Sequence, residues 1–134
     1  MNSDIFIGAV TERAFIEQDG KVLMVRHPQG TKYGLPGGRL NKGESPTLGV
    51  LREAKEELGV DIVVGSPLTV AEQTYDDGTP HYIVIFYAQF TDPSKPLVLD
   101  PTEVGEVRWV SADDIGSLPL YPDCEKALKI HFKK

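Results

Sequence analysis

The feature that most constrains the chain is a helix with recognisable signals at both ends, between Ser45 and Gly59. Ser45 is a favoured N-cap residue, and Pro46 suits the first helical position, where no backbone N–H is needed. Gly59 follows Leu58 and is the residue type that most readily adopts the left-handed conformation after a helix. The sequence therefore predicts a helix that begins at Pro46 and ends at Leu58.

One face of this helix is acidic. At about 100° per residue, Glu53, Glu56 and Glu57 fall within an arc of roughly 100°. Glu53 and Glu57 are spaced i,i+4, and like charges at that spacing cost a helix roughly 0.2–0.5 kcal/mol. A hard divalent cation such as Mg²⁺ or Mn²⁺ prefers carboxylate oxygens and would turn this repulsion into coordination. The opposite face is expected to pack on a core through Leu48, Leu51 and Leu58.

The glutamates belong to a longer pattern, G-x5-E-x7-R-E-U-x-E-E-x-G-U, in which U is an apolar residue. The matching residues are Gly38, Glu44, Arg52, Glu53, Ala54, Glu56, Glu57, Gly59 and Val60. A surface charge run alone would not also supply the glycines and the arginine at these offsets. Residues 38–60 resemble the Nudix box, and the chain is similar to MutT-like Nudix hydrolases. Ala54, a small residue at an apolar position, is a minor departure.

The resemblance implies a metal site, in agreement with the acidic helix face. The expected ligands of Mg²⁺, with Mn²⁺ as a substitute, are Glu53, Glu56 and Glu57. A backbone carbonyl of Gly37 or Gly38 is expected to complete the ligand set. Arg52 cannot bind a cation, so its expected role is a bidentate contact that holds a glutamate or the preceding loop. A generic surface ion pair is the alternative for Arg52.

The sequence leaves the general base open. Glu44 lies just before the helix and is either a water-mediated ligand or base, or a favourable charge near the helix N-terminus. The family often uses a glutamate on the loop before a tryptophan-containing strand, and Glu103 and Glu106 are the candidates here. We favour Glu103 because Glu106 falls within the strand pattern. A solvated loop carboxylate is the alternative for either residue.

Nudix hydrolases cleave the pyrophosphate linkage of a nucleoside diphosphate bound to another moiety. The resemblance therefore implies such an enzyme, acting on a nucleoside triphosphate or a small nucleotide derivative. The proline typical of the ADP-ribose subgroup is absent between Leu68 and Thr79, and Tyr75 is not a convincing match to the tyrosine of the diadenosine polyphosphate subgroup.

Two other functions stay open from the sequence. A nucleotide-sensing module would bind without cleavage, but such modules generally lose box glutamates that this chain keeps. An RNA 5′-end pyrophosphohydrolase would act on a polyanion, which the acidic composition disfavours.

Composition is that of one ordinary folded domain. The chain has 134 residues, of which 40% are hydrophobic and 25% charged, which fits a single domain over residues 1–134. Its net charge of −6 argues against broad binding to nucleic acid or anionic membranes. The single Cys124 cannot form an internal disulfide, and neither a signal peptide nor a transmembrane segment is indicated. We expect a cytoplasmic protein that binds a small phosphorylated nucleotide, with a homodimer left open.

Strand signals surround the helix. The predicted strands span residues 5–16, 21–26, 60–64, 68–75, 81–90 and 104–110. Residues 65–67, Gly-Ser-Pro, are expected to separate two of these strands, and the glycine-rich residues 34–38 are expected to form a fixed, tightly turned loop. A final amphipathic helix is predicted over residues 121–132. This order predicts an α+β domain, and the resemblance implies the Nudix-like α/β/α sandwich with a mixed central sheet.

Overall fold

The computed structural model describes residues 4–5, 7–74 and 76–134. Within these ranges the elements in chain order are β1 Ala9–Gln18, β2 Lys21–Arg26, β3 Gly37–Arg39, α1 Pro46–Leu58, β4 Ile62–Thr74, β5 Pro80–Phe90, β6 Glu106–Val110, a 3-10 turn Ala112–Asp114 and α2 Pro122–Phe132. No helix in these ranges is long and apolar enough to cross a membrane.

The strands form one mixed sheet in the order β4-β5-β1-β2-β6, with β3 beside β1. β1 and β5 run parallel, and the other strand pairs are antiparallel. Alternation along β1 sends Phe15 into the core under α2, whereas Ala14 and Ile16 pack in the core under α1. The predicted α+β class with a mixed central sheet and two helices is confirmed.

Both predicted ends of α1 are confirmed. The hydroxyl of Ser45 accepts a hydrogen bond from the backbone N–H of Leu48 at 3.3 Å. Gly59 adopts φ 67°, and its N–H donates to the carbonyl of Lys55. These contacts satisfy backbone groups that the helix itself leaves without partners.

The predicted core face of α1 is partly wrong. Leu58 is buried as expected, but Leu48 is 59% exposed. The helix packs on the sheet through Val50 and Ala54 as well as Leu58. This rotation about the helix axis brings Glu57 to the edge of the core, where it is buried.

Several strand predictions also need correction. Gly37 and Gly38, expected in a loop, form β3 together with Arg39, and this strand pairs with Thr11 to Arg13 of β1. Residues 65–67 do not end a strand: β4 continues through two register shifts on either side of Pro67, and such bulges tolerate a residue without an N–H. β1 starts at Ala9 and β6 at Glu106, each later than predicted. Phe6 and Tyr75, which the predictions included, lie outside the described residues.

Gly59→Ala is expected to destabilise the protein more than Gly43→Ala. Both glycines have positive φ, at 67° and 80°, so a side chain costs about 1 kcal/mol at each position. A Cβ at Gly59 would also lie 2.8 Å from the carbonyl oxygen of Val98, whereas a Cβ at Gly43 meets nothing within 4 Å. Chemical denaturation measures the difference. Equal losses would show that the packing of residue 98 on the end of α1 is loose.

Candidate active site

An acidic cleft opens where α1 faces β3. Its volume is about 360 Å³, and its lining consists of Gly37, Gly38, Arg39, Glu53, Glu56, Glu57, Asp100 and Glu103. α1 supplies three carboxylates, β3 supplies two glycines and an arginine, and the connection between β5 and β6 supplies two further carboxylates. The structure therefore brings Glu53, Glu56 and Glu57 together with Gly38 and Glu103, whereas Glu44 and Arg52 are not part of this lining.

Arg52 links two of these carboxylates, Glu53 and Glu56, to Glu44, which does not line the cleft. Its Nε and Nη2 donate to the two oxygens of Glu44 at 2.8 and 3.0 Å. Its Nη1 donates to Glu53 at 3.0 Å and to Glu56 at 3.1 Å. Nη2 also donates to the carbonyl of Arg39 at 3.3 Å. These are the bidentate contact and the loop contact expected of Arg52, and they form a network instead of an isolated surface pair.

Glu44 has both of its oxygens in contact with Arg52, and its Oε1 also accepts from the backbone N–H of Asn41 at 3.2 Å. The hydrogen bonds from Arg52 lower the pKa of Glu44. A bidentate contact of Arg52 with a glutamate was expected, but the alternatives considered for Glu44, a ligand or base and a helix-terminal charge, did not single it out as that glutamate. The geometry places Glu44 beside the cleft as a partner of the arginine.

Glu57 and Glu53 are carboxylates in an unfavourable environment. Burial, together with the charge of Glu53, raises the pKa of Glu57 to about 8. Burial also raises the pKa of Glu53. The N–H of Gly37 donates to Glu57 at 2.8 Å, and a Cβ at Gly38 would lie 2.5 Å from Glu53. The glycines thus let the β3 backbone approach two carboxylates whose charge a proton or a cation would relieve.

The oxygen atoms of this cleft fit a divalent cation in chemistry and charge, because carboxylate and carbonyl oxygens are the ligands that Mg²⁺ prefers. They do not yet converge: among the described residues, no three carboxylate, imidazole or thiol side chains form a group that could hold a metal ion. Glu53 and Glu56 instead accept hydrogen bonds from Arg52. Binding would require Glu53 and Glu56 to exchange these hydrogen bonds for the cation, so the ligand set stays a prediction.

The two candidates for the general base lie in different places. Glu103 lines the acidic cleft. Glu106 lies on β6, where it accepts from the hydroxyl of Tyr33 at 2.8 Å and from Arg26 at 3.4 Å. Those two contacts lower the pKa of Glu106 and give it a structural role. The geometry therefore supports the preference for Glu103, whose catalytic role stays a prediction.

Sequence reasoning missed two carboxylates. Asp100 lines the cleft and accepts from the backbone N–H and the hydroxyl of Thr102 at 2.9 and 2.7 Å. Glu12 lies in β1 beneath α1 and is completely buried. Burial, followed by the charges of Glu53 and Glu44, raises the pKa of Glu12 to about 7. The only available signal for Glu12 was a charged residue inside an otherwise strand-like run.

Comparison with known proteins identifies the family. The family profile for the NUDIX domain matches residues 11–130, and the chain belongs to this family. It is 41% identical over 113 residues to the CTP pyrophosphohydrolase of Escherichia coli (strain K12), covering 81% of this chain and 80% of that protein. It is 31% identical over 110 residues to an uncharacterized Nudix hydrolase of Bacillus subtilis (strain 168), covering 80% and 68% respectively. The structure of a MutT NUDIX hydrolase from Burkholderia pseudomallei matches with a TM-score of 0.78 at 26% identity, covering 92% of this chain and 97% of that one.

These matches confirm the predicted family and the enzyme class, since Nudix pyrophosphohydrolases are named among the relatives. Nudix hydrolases generally use divalent metals, and relatives of this chain act on nucleotides. The particular metal, the substrate and the roles of individual residues stay predictions.

The raised pKa of Glu57 predicts how stability depends on pH in the metal-free protein. Because the folded-state pKa of about 8 lies above the ordinary value of 4.5, the folded state holds this proton more tightly than the unfolded state does. The stabilisation is complete below pH 4.5 and is lost as the pH rises to about 8. In Glu57→Gln the free energy of unfolding should decrease less as the pH rises. At alkaline pH this variant should be at least as stable as the unaltered protein. Thermal unfolding in excess chelator measures both.

Glu106→Gln is the matched control, because its contacts lower its pKa and so favour the charged form. The native charge of Glu106 stabilises the fold at neutral pH, so this variant should be less stable there than the unaltered protein. Unfolding of Glu57→Gln at neutral pH would contradict the account and would make the box glutamates a structural ion network.

Proposed function

We propose that the chain is a metal-dependent hydrolase that cleaves the pyrophosphate linkage of a nucleoside triphosphate or a small nucleotide derivative. The observation that carries this proposal is the acidic cleft, in which three glutamates of α1 meet Glu103 and the β3 backbone. Similarity to the CTP pyrophosphohydrolase of E. coli along most of both chains supports a nucleoside triphosphate as the first substrate to test.

Three side chains of the cleft would hold Mg²⁺, with Mn²⁺ as a substitute: Glu53, Glu56 and Glu57. The carbonyl of Gly38 would add a fourth oxygen. When bound, the cation supplies positive charge for the phosphates and lowers the pKa of a water molecule. Arg52 keeps Glu44 and the loop carbonyl of Arg39 in place beside these ligands.

Glu103 is the proposed general base. It lines the same cleft as the glutamates of α1, on a separate segment of chain, so it can face a water molecule without being one of the expected ligands. A base must lie within hydrogen-bonding reach of the proton that it removes, and a residue in the lining of the same cleft suits that requirement. Arg39, also in the lining, would face phosphate oxygens.

The proposal includes a cytoplasmic location for the protein. A cytoplasmic protein is expected from the lone thiol, since Cys124 is free and buried in the structure. A homodimer stays a prediction.

Turnover should depend on a divalent cation and should release pyrophosphate from a nucleoside triphosphate. We would incubate the purified protein with CTP, ATP, ADP-ribose and a diadenosine polyphosphate, each with Mg²⁺, with Mn²⁺ or with excess chelator, and separate the products by chromatography. Full activity in chelator would contradict the metal-dependent mechanism. Tight nucleotide binding without cleavage of any substrate would favour the sensing module instead.

Glu103→Gln should lower kcat by roughly 10²- to 10⁴-fold, the usual contribution of a general base, and should flatten the acidic limb of the rate profile. Glu106→Gln is the matched control, since it removes the same charge from a nearby residue that contacts Tyr33 and Arg26. Metal affinity should change less in Glu103→Gln than in Glu53→Gln. If Glu106→Gln loses as much activity as Glu103→Gln, then Glu103 is not the base.

A further inference from the structure

Glu12 is a buried carboxylate without a hydrogen-bond donor. It lies in the middle of β1, opposite Gly38 of β3 and Val84 of β5. Its side chain is completely buried, and neither of its carboxylate oxygens has a hydrogen-bond partner among the described residues. Burial of such a group is costly. A carboxylate with this cost and no hydrogen-bond partner among the described residues is a candidate for a functional role.

The space around Glu12 is provided by Gly49 of α1. A Cβ at Gly49 would collide with Oε1 of Glu12 and would lie 3.1 Å from Oε1 of Glu44. The bare backbone at this turn of the helix therefore accommodates the Glu12 carboxyl below the Arg52 network. Nη2 of Arg52 is 3.8 Å from Oε1 of Glu12, which is an ionic contact without a hydrogen bond.

If Glu53 and Glu56 are metal ligands, Arg52 would exchange partners when a cation binds. Its Nη1 donates to Glu53 and Glu56, the same carboxylates that the proposed function assigns to the metal. If both carboxylates left the guanidinium for a cation, Arg52 would keep Glu44 and would have Glu12 as the remaining carboxylate close by. Glu12 is completely buried and is not among the residues that line the cleft.

We propose that Glu12 is a positioning residue for the metal site. Its carboxylate holds Arg52 by charge, so that Glu53 and Glu56 release the guanidinium and become available to a divalent cation. The inference rests on the proposed function, because it presupposes that these two glutamates are ligands. It predicts that loss of the Glu12 charge leaves Arg52 more tightly bound to them and weakens cation binding.

Glu12→Gln keeps the shape of the side chain and removes its charge. We expect the affinity of the metal-free protein for Mn²⁺, measured by isothermal titration calorimetry, to fall by roughly threefold to tenfold. Glu72→Gln is the control, since Glu72 is exposed on β4 and its substitution changes the net charge equally. Its affinity for Mn²⁺ should equal that of the unaltered protein.

A second readout separates positioning from a merely structural role. The Nε–H resonance of Arg52, followed by NMR, should shift on titration with the diamagnetic Mg²⁺ in the unaltered protein, and the shift should require more Mg²⁺ in Glu12→Gln. Thermal unfolding of Glu12→Gln should show no loss of stability, because the variant no longer buries a charge without donors.

Gly49→Ala tests the same contact from the helix side. The added methyl group displaces the Glu12 carboxyl while keeping its charge, so Mn²⁺ affinity should fall as well. In the double variant with Glu12→Gln, the effects should be less than additive, because both act through one contact. If Glu12→Gln fails to fold, the Mn²⁺ affinity of Gly49→Ala replaces it: a lower affinity supports the inference, and an unchanged affinity overturns it.

Unchanged Mn²⁺ affinity in Glu12→Gln, or an equal loss in Glu72→Gln, would overturn this inference and leave the proposed function intact. If the unaltered protein binds no Mn²⁺, both fail together.

Discussion

The hydrogen bonds of the Arg52 guanidinium hold the carboxylates around the site in place. The guanidinium donates hydrogen bonds to Glu44, Glu53 and Glu56 and to one loop carbonyl, and it lies 3.8 Å from Glu12. Lysine would not replace it, because a compact ammonium lacks the planar fork that reaches several acceptors at once. Without the positive charge of Arg52, the carboxylates of Glu44, Glu53 and Glu56 would repel one another. The arginine thus lets the chain keep a concentration of negative charge beside an open cleft.

α1 positions both the glutamates of the cleft and the segment that carries Glu103. α1 packs on the sheet with Val50, Ala54 and Leu58, which directs its glutamates toward β3. The carbonyls of Glu57 and Leu58 accept hydrogen bonds from the N–H groups of Asp100 and Val98, at 3.1 and 2.8 Å. These backbone contacts satisfy the last turn of the helix and bring the segment that carries Glu103 to the cleft. The same backbone hydrogen bonds therefore cap the helix and position the proposed base.

Local signals made α1 predictable, and tertiary contacts explain what was not. Ser45, Pro46 and Gly59 act within a few residues of the helix ends, so the sequence alone located both ends. Leu48 was misassigned because the core face depends on how the helix docks on the sheet. β3 exists only because β1 lies beside it. Glu12 and Arg52 are far apart in the chain, and nothing local indicates that they meet. The acidic cluster was predictable, but its buried partner was not.

The central claim is that the glutamates of α1 form a cation site instead of a structural ion network. Crystals of the protein soaked with Mn²⁺ test this directly through anomalous diffraction. We predict a peak in the acidic cleft, with carboxylate oxygens of Glu53 and Glu57 and the carbonyl of Gly38 among the ligands, and with Arg52 still bound to Glu44. Occupied Mn²⁺ sites elsewhere on the protein, with the cleft empty and Arg52 still bound to Glu53 and Glu56, would contradict this claim.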